Sequence, residues 1–382
     1  MKHKERVKKA FHFDCPDKIP ISSLNLNSDF FPVAIYPPKS WQPKSHPPHV
    51  QGGVNSMSSW FYRTFIYHWK KKYRQNAHYS KKWWKEPHMS IDEWGILWKS
   101  SGSESDDITT GHPFYGPLQD SWENLESFEI PNIADPKRYR IIKSWFWKFL
   151  GRNRYSIGEL VPNGFFNLAS QLRGFSNFLI DIARNKKEIH RLIRILIPYF
   201  KKLIENYQKY YPNLDAVMVA DDLGTQKSPF ISPSLFRKYF KEPYHEIIKY
   251  AHDLELDFIM HSCGQVLELL PDLIEIGVDV FEFDSPHMAG VDNFKHYAEE
   301  KKVAFWLSSN IQTTYVTGTP KEVEEEIKYY IKEVGNNNGG LAIYEYIPSS
   351  TLRAPKENVK AQREATLKWG QYDEEGKINW LA

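Results

Sequence analysis

Apolar positions change their period several times along this 382-residue chain. Lys4 to Phe11 has the spacing of a short helix, and Lys18-Ile19-Pro20-Ile21 that of a first strand. Pro37 to Gly53 is rich in Pro and Ser and is read as loop, and Ser56 to Arg74 as helix. Ile91 to Trp98 has strand character, and Ser101 to Gly116 is turn-rich. From Asp135 onward the pattern becomes regular: a helix over Arg138–Leu150, a strand over Ser156–Val161, then helices from Gly164 to Tyr211. Strands are next predicted at Asp215–Ala220, Asp257–Met260, Val278–Phe283, Val303–Ser308 and Leu341–Tyr346, each followed by a helical segment. Ser232-Pro233 supplies an N-cap and a first-turn proline. Thr319-Pro320-Lys321-Glu322 has the spacing of a capping box, and Glu357–Trp369 reads as the last helix.

Short apolar strands alternating with helices predict βα units around a parallel sheet. Seven strands are credible; Ile91–Trp98, or a strand hidden in the helical middle, would be the eighth. There is no Gly-x-Gly-x-x-Gly and no phosphate-loop signature, so a closed α/β barrel, a (β/α)8 TIM barrel, is favoured over an open doubly wound sheet. The expectation is one barrel domain over residues 1–382, with an elaborated, aromatic-rich N-terminal region.

Composition narrows the function classes. Fifty Lys and Arg against 47 Asp and Glu give a formal charge of +3, too balanced for a nucleic-acid footprint over the whole chain. No apolar run reaches membrane-spanning length, and the polar start lacks a signal-peptide core, so a cytoplasmic protein without membrane partner is expected. Cys15 and Cys263 are the only cysteines and cannot form a disulfide framework. Ten of the 13 tryptophans precede residue 150. They either cover an irregular core or line a cleft for a planar ligand; their lysine neighbours favour the first reading. The basic run Lys70-Lys71-Lys72-Tyr73-Arg74, continued by Lys81, Lys82 and Lys85, is read as a solvated face.

In a βα barrel, chemistry gathers at the C-terminal strand ends. There the pattern places Asp221 and Asp222, then His261-Ser262-Cys263-Gly264, then Glu282 and Asp284, then Asn310 and Gln312, and finally Glu345. His261 and Cys263 are two apart at a strand end, so imidazole and thiol point the same way, and both are good zinc ligands. Because Asp221 and Asp222 are adjacent, only one of them can face the mouth.

The stretch His261-Ser262-Cys263-Gly264, running on to Leu269-Leu270-Pro271-Asp272-Leu273, resembles the uroporphyrinogen decarboxylase superfamily, whose methyltransferase branch carries such a His-x-Cys-Gly. Lys4-Glu5-Arg6-Val7, Pro16-Asp17-Lys18-Ile19-Pro20, Asp92-Glu93-Trp94-Gly95, Leu172-Arg173-Gly174-Phe175, Asp221-Asp222-Leu223-Gly224-Thr225-Gln226 and Gly318-Thr319-Pro320-Lys321-Glu322-Val323 extend the resemblance along the chain. It implies a single (β/α)8 barrel. The decarboxylases of the superfamily carry an arginine-rich carboxylate clamp after the first strand; Ser22 to Phe31 contains no arginine here, so uroporphyrinogen decarboxylation is not expected. Asp92 would correspond to their catalytic-aspartate region, and Arg173 is either an ion-pair partner or a site residue.

The methyltransferase branch binds zinc through a His, a Cys and a second, distant Cys, and exchanges methyl groups with a corrinoid. No cysteine follows Cys263, so the resemblance leaves Glu345, Glu282, Asp284 or Asp222 to complete a zinc site with His261 and Cys263. Glu345, on the strand of the missing cysteine, is the expected third ligand. Asp221, Asp222 and Gln226 are expected to orient substrate or the metal's surroundings. The string Asp284-Ser285-Pro286-His287-Met288-Ala289-Gly290 is one residue too long for a base-off cobalamin motif, so a corrinoid would come on a separate carrier protein or free. The expected function is metal-assisted, corrinoid-dependent methyl transfer to or from a small molecule. The alternatives are a divergent decarboxylase and a non-catalytic corrinoid- or metal-binding barrel.

Overall fold

The computed structural model describes residues 1–23, 27–35, 37–38, 51–52, 88–100, 112–160, 164–336, 338–346 and 352–380. The expected Pro37–Gly53 loop, the Ser56–Arg74 helix, the basic run and most of Ser101–Gly116 lie outside the described residues, as do Trp41, Trp60, Trp69, Trp83 and Trp84. The chain divides into two compact units, one of residues 1–33, 145–158 and 213–382, the other of residues 34–144 and 159–212.

The first unit is built on the barrel. Its parallel strands are β1 (Ile21–Ser22), β2 (Phe30–Val33), β3 (Tyr155–Glu159), β4 (Ala216–Ala220), β5 (Asp257–His261), β6 (Val280–Phe283), β7 (Ala304–Leu307) and β8 (Leu341–Tyr344). Hydrogen-bonded neighbours run in the order β1, β8, β7, β6, β5, β4, β3, β2. The two ends of that row are joined by Asp29, whose N–H donates to the Ile21 carbonyl (2.9 Å) and whose carboxylate accepts from the Ile21 N–H (2.8 Å). The result is a nearly closed (β/α)8 barrel, as the strand pattern predicts.

All seven predicted strands are present, and the eighth is Phe30–Val33 rather than Ile91–Trp98. Phe-Phe-Pro-Val is short and carries a proline, which removes a ladder donor and masks the strand in sequence. Successive strands alternate between the barrel interior and the surrounding helices. Phe30, Tyr155, Ile157, Ala216, Ile259, Val280, Ala304, Trp306, Ala342 and Tyr344 form the interior cluster. The N-terminal helix His3–Phe11 closes its lower end, adding Val7 and Phe11 to that cluster, with the Phe11 ring 5.6 Å from Tyr155. The helices outside start where their caps predict: Ser232 accepts from Leu235 N, and Thr319 and Glu322 form the reciprocal capping box.

The second unit contains a small sheet and three helices, Phe165–Arg173, Phe175–Ala183 and Lys187–Tyr210. In the sheet, His88–Ile91 and Leu97–Ser100 pair antiparallel, and His112–Tyr115 pairs with the latter. The expected Ile91–Trp98 strand is thus the bend of a hairpin. Asp92 makes that bend: its carboxylate accepts from Trp94 N, Ile96 N and Trp98 Nε1 at 2.9–3.0 Å. It is buried and serves the local turn. Arg173 is an ion-pair partner: Nε meets Asp181 at 2.7 Å, Nη1 donates to the Leu118 and Gln119 carbonyls, and the guanidinium lies 4.6 Å from the Trp122 ring. Trp94 and Trp98 are buried, which fits the core-covering reading of the tryptophans; Trp145 is largely exposed.

Candidate metal centre at the barrel mouth

His261 closes β5. In register it lies between Ala220 of β4 and Glu282 of β6, and it shares the inward face with Ile259. Glu282 therefore stands beside it on the same face, and its carboxylate Oε2 pairs with His261 Nδ1. That pairing turns Nε2 upward, 3.4 Å from Cys263 Sγ and 3.5 Å from Asp222 Oδ1. One ligand atom each from Asp222, His261 and Cys263 can be chosen so that all lie within 4.8 Å of one another. A tetrahedral zinc ion with bonds of about 2.0–2.3 Å spaces its ligands by about 3.5 Å, so imidazole nitrogen, thiol sulfur and carboxylate oxygen suit that ion in kind and in spacing.

Two loops hold the ligands. The Leu223 N–H donates to Ser262 Oγ (3.0 Å), the Cys263 N–H to Asp222 Oδ1 (3.1 Å), and the Gln265 N–H to the Thr225 carbonyl (2.7 Å). The loops approach so closely that a Cβ on Gly224 would meet the Gln265 carbonyl oxygen at 2.4 Å. One on Gly264, where φ is +84°, would meet the Gly224 oxygen at 2.3 Å.

The electrostatics follow from crowding. Burial pulls the His261 imidazolium down, but Glu282, Cys263 and Asp222 outweigh it and hold the ring protonated well above its usual range. Burial and the Asp222 charge push the Cys263 thiol up, against the pull of His261. Burial alone would raise Asp222, yet hydrogen bonds from His261 and Cys263 keep it below the usual carboxylate range. Asp284, reached by Cys263 Sγ at 3.4 Å, is pushed up to about 6, chiefly by burial.

The structure separates the expected site residues. Asp222 faces the mouth, while Asp221 is fully buried and accepts from Tyr244 Oη, so the two adjacent aspartates do point apart. Gln226 is exposed on the loop beyond them. Glu345 is not brought to His261 and Cys263. Ala342 and Tyr344 face inward, so Glu345 faces outward, where Arg363 of the helix Lys356–Trp369 binds both its oxygens, Nη2 to Oε2 at 2.7 Å. Glu282 is placed behind the histidine instead: its Oε2 pairs with the far ring nitrogen, which is an orienting position. Asp284 stays within reach of the thiol. His287, in the cobalamin-like string, pairs with Glu326 at 3.0 Å. Sequence reasoning missed the inward Trp306, Tyr344 and Tyr346, although counting by twos along β7 and β8 identifies them.

Comparison with known proteins agrees with this architecture. The family model for uroporphyrinogen decarboxylase (URO-D) matches residues 162–370, more than half of the chain. The chain belongs to the uroporphyrinogen decarboxylase family. No protein of curated function matches the sequence. Among solved structures, a methyltransferase from Methanosarcina mazei superposes with a TM-score of 0.52 at 18% identity, over 96% of this chain and 98% of that one. D-psicose 3-epimerase from Clostridium cellulolyticum H10, solved with D-tagatose, gives a TM-score of 0.38 at 12% identity, over 64% of this chain and 84% of that one. At these identities the likeness concerns the barrel fold alone. This URO-D family member has no helix among its described residues long and apolar enough to cross a membrane.

Proposed function

We propose that this URO-D family protein is a methyltransferase-like enzyme in which Asp222, His261 and Cys263 hold a divalent metal, best suited to zinc. The observation that carries this reading is the convergence of imidazole Nε2, thiol Sγ and carboxylate oxygen on one point at the C-terminal end of the barrel. The His261-Ser262-Cys263-Gly264 string, which resembles the methyltransferase branch, supports the choice among the chemistries of the family. When bound, the ion would supply Lewis acidity toward a lone pair of the substrate.

The chain's own residues prepare that position. Glu282 fixes the imidazole so that Nε2 is the ligating nitrogen. Cys263 keeps its proton in the metal-free protein, its thiol donating toward Asp284 Oδ2; metal binding would release that proton together with the Nε2 proton of His261. A corrinoid enters this reading as a methyl-carrying partner, on a separate carrier protein or free, and no residue is assigned to holding it. The arginine-free Ser22–Phe31 stretch argues against decarboxylation of uroporphyrinogen, whose carboxylates need cationic partners.

Metal analysis of the purified chain in zinc-replete medium tests the proposal. One zinc per chain in the wild type, lost in His261→Ala, Cys263→Ser and Asp222→Ala but kept in Glu345→Gln, is the expected result. A wild-type protein that stays metal-free, or zinc retained by all three ligand variants, would overturn it.

A further inference from the structure

Among the exposed large apolar side chains, three stand on one short helix. The helix Trp145–Gly151 reads Trp-Phe-Trp-Lys-Phe-Leu-Gly, with Lys148 its only polar side chain. A helix apolar all round is normally buried. This one buries only part of its surface: Trp147 packs against Phe31 of β2 at 5.1 Å, while Trp145 is 74% exposed, Phe149 40% and Phe146 38%. Trp145 and Phe149, one turn apart, stack on each other at 5.2 Å, and the Arg152 guanidinium lies 4.0 Å from the Phe149 ring. Arg152 is exposed and Lys148 half-buried, and neither has an ion pair among the described residues. From Pro136 to Gly158 the sequence has no acidic residue. The helix runs through Arg152, Asn153 and Arg154 into the start of β3, and the Asn153 carbonyl accepts from the Lys4 N–H at 2.9 Å. The patch therefore belongs to the lower end of the barrel, away from the metal centre.

We propose that this face is a peripheral docking surface for an anionic lipid membrane, with Trp145 and Phe149 entering the interface and Lys148 and Arg152 meeting the headgroups. Trp and Phe on an apolar helix face, with Lys and Arg beside them, is the composition of helices that lie in the plane of a membrane interface. The charge selects the partner. Cations without an acidic neighbour in the segment favour a negative surface, and they oppose a second copy of this chain, whose own patch would bring like charges together. Area points the same way. Three aromatic side chains of about 150–250 Å² each, exposed to these degrees, offer about 200–400 Å², against about 800 Å² on each partner of a stable protein complex. A bilayer needs no matching groove, and docking there leaves the mouth at the opposite end open to solvent.

Sedimentation of the full chain with vesicles of phosphatidylcholine alone, or of phosphatidylcholine and phosphatidylglycerol in equal parts, tests this. Binding to the anionic vesicles at least about tenfold tighter than to the neutral ones, and weaker in high salt, is expected. Trp145→Ser combined with Phe149→Ser should weaken it at least about tenfold, and Arg152→Ser about fivefold. Circular dichroism should show these variants folded as wild type, because the replaced side chains are exposed. If the double variant does not fold, Trp145→Ser alone carries the test. A chain that stays in the supernatant with anionic vesicles, binds both vesicle types equally, or binds as tightly after Trp145→Ser would overturn the proposal. So would self-association in sedimentation velocity that Trp145→Ser abolishes, since the patch would then be an interface between copies.

Discussion

The two ends of the barrel treat buried charge in opposite ways. At the lower end each carboxylate has a fixed partner: Asp29 binds Arg6 at 2.6 Å, Asp215 binds Lys4 at 2.8 Å, and Asp257 accepts from Tyr155 and pairs with His12 at 3.1 Å. These aspartates also accept backbone N–H groups, as Asp215 does from Ser156 and Asp29 from Ile21. At the upper end, Asp222, Glu282 and Asp284 crowd around one histidine and one thiol. The lower end is paired for stability. The upper end keeps groups whose charges favour binding something over folding tightly, the usual division between the faces of such barrels.

Replacing a paired group at the lower end should have the largest effect on folding. Arg6→Met leaves Asp29 buried without its guanidinium, and a loss of about 3–5 kcal/mol is expected in urea unfolding. Zinc binding by the fraction that remains folded should not change. An Arg6→Met protein as stable as wild type would end the contrast between the two faces.

Next comes the packing of the two mouth loops. Gly224→Ala places a methyl against the Gln265 carbonyl oxygen, so the backbone must move. A loss of about 1–3 kcal/mol in thermal unfolding is expected, together with loss of zinc uptake. Unchanged zinc affinity would show that the ligands do not depend on that loop contact.

Glu282→Gln separates positioning from structure. Zinc affinity in a competition titration should fall about 10–100-fold, because the imidazole loses the group that fixes it, while thermal stability does not fall. If stability falls in step with affinity, Glu282 belongs to the paired class of the lower end.

The smallest effect concerns Glu159 at the C-terminal end of β3. Burial pushes its carboxyl up to about 7 from an ordinary 4.5. Between those values the folded chain binds more protons than the unfolded one. This group's contribution is therefore fully present below about pH 4.5 and is lost as pH rises toward 7. Relative to Glu159→Gln, wild-type stability should decline by about 1–2 kcal/mol across that window, read from unfolding curves at several pH values. Parallel curves would place Glu159 in a solvated environment.

Much of this was legible in the chain itself. Apolar runs with helix caps between them mark seven of eight barrel strands, because a strand buried on both faces must be apolar throughout. His261 and Cys263 were recognisable because residues two apart at a strand end share a direction. The same rule, applied to β8, turns Glu345 outward toward Arg363 and Tyr344 and Tyr346 inward. Position on a strand told less than parity within it.

The order of apolar and polar residues determined a (β/α)8 barrel and an imidazole–thiol pair at its mouth, since both depend on local periodicity. The third ligand and the orienting role of Glu282 depend on which residues of different strands end up side by side. Glu282 and His261 are 21 residues apart, and Asp222 and Cys263 are 41 apart. Only the register of neighbouring strands and the glycine contact between two loops bring them together, and neither is encoded in the spacing of any single segment.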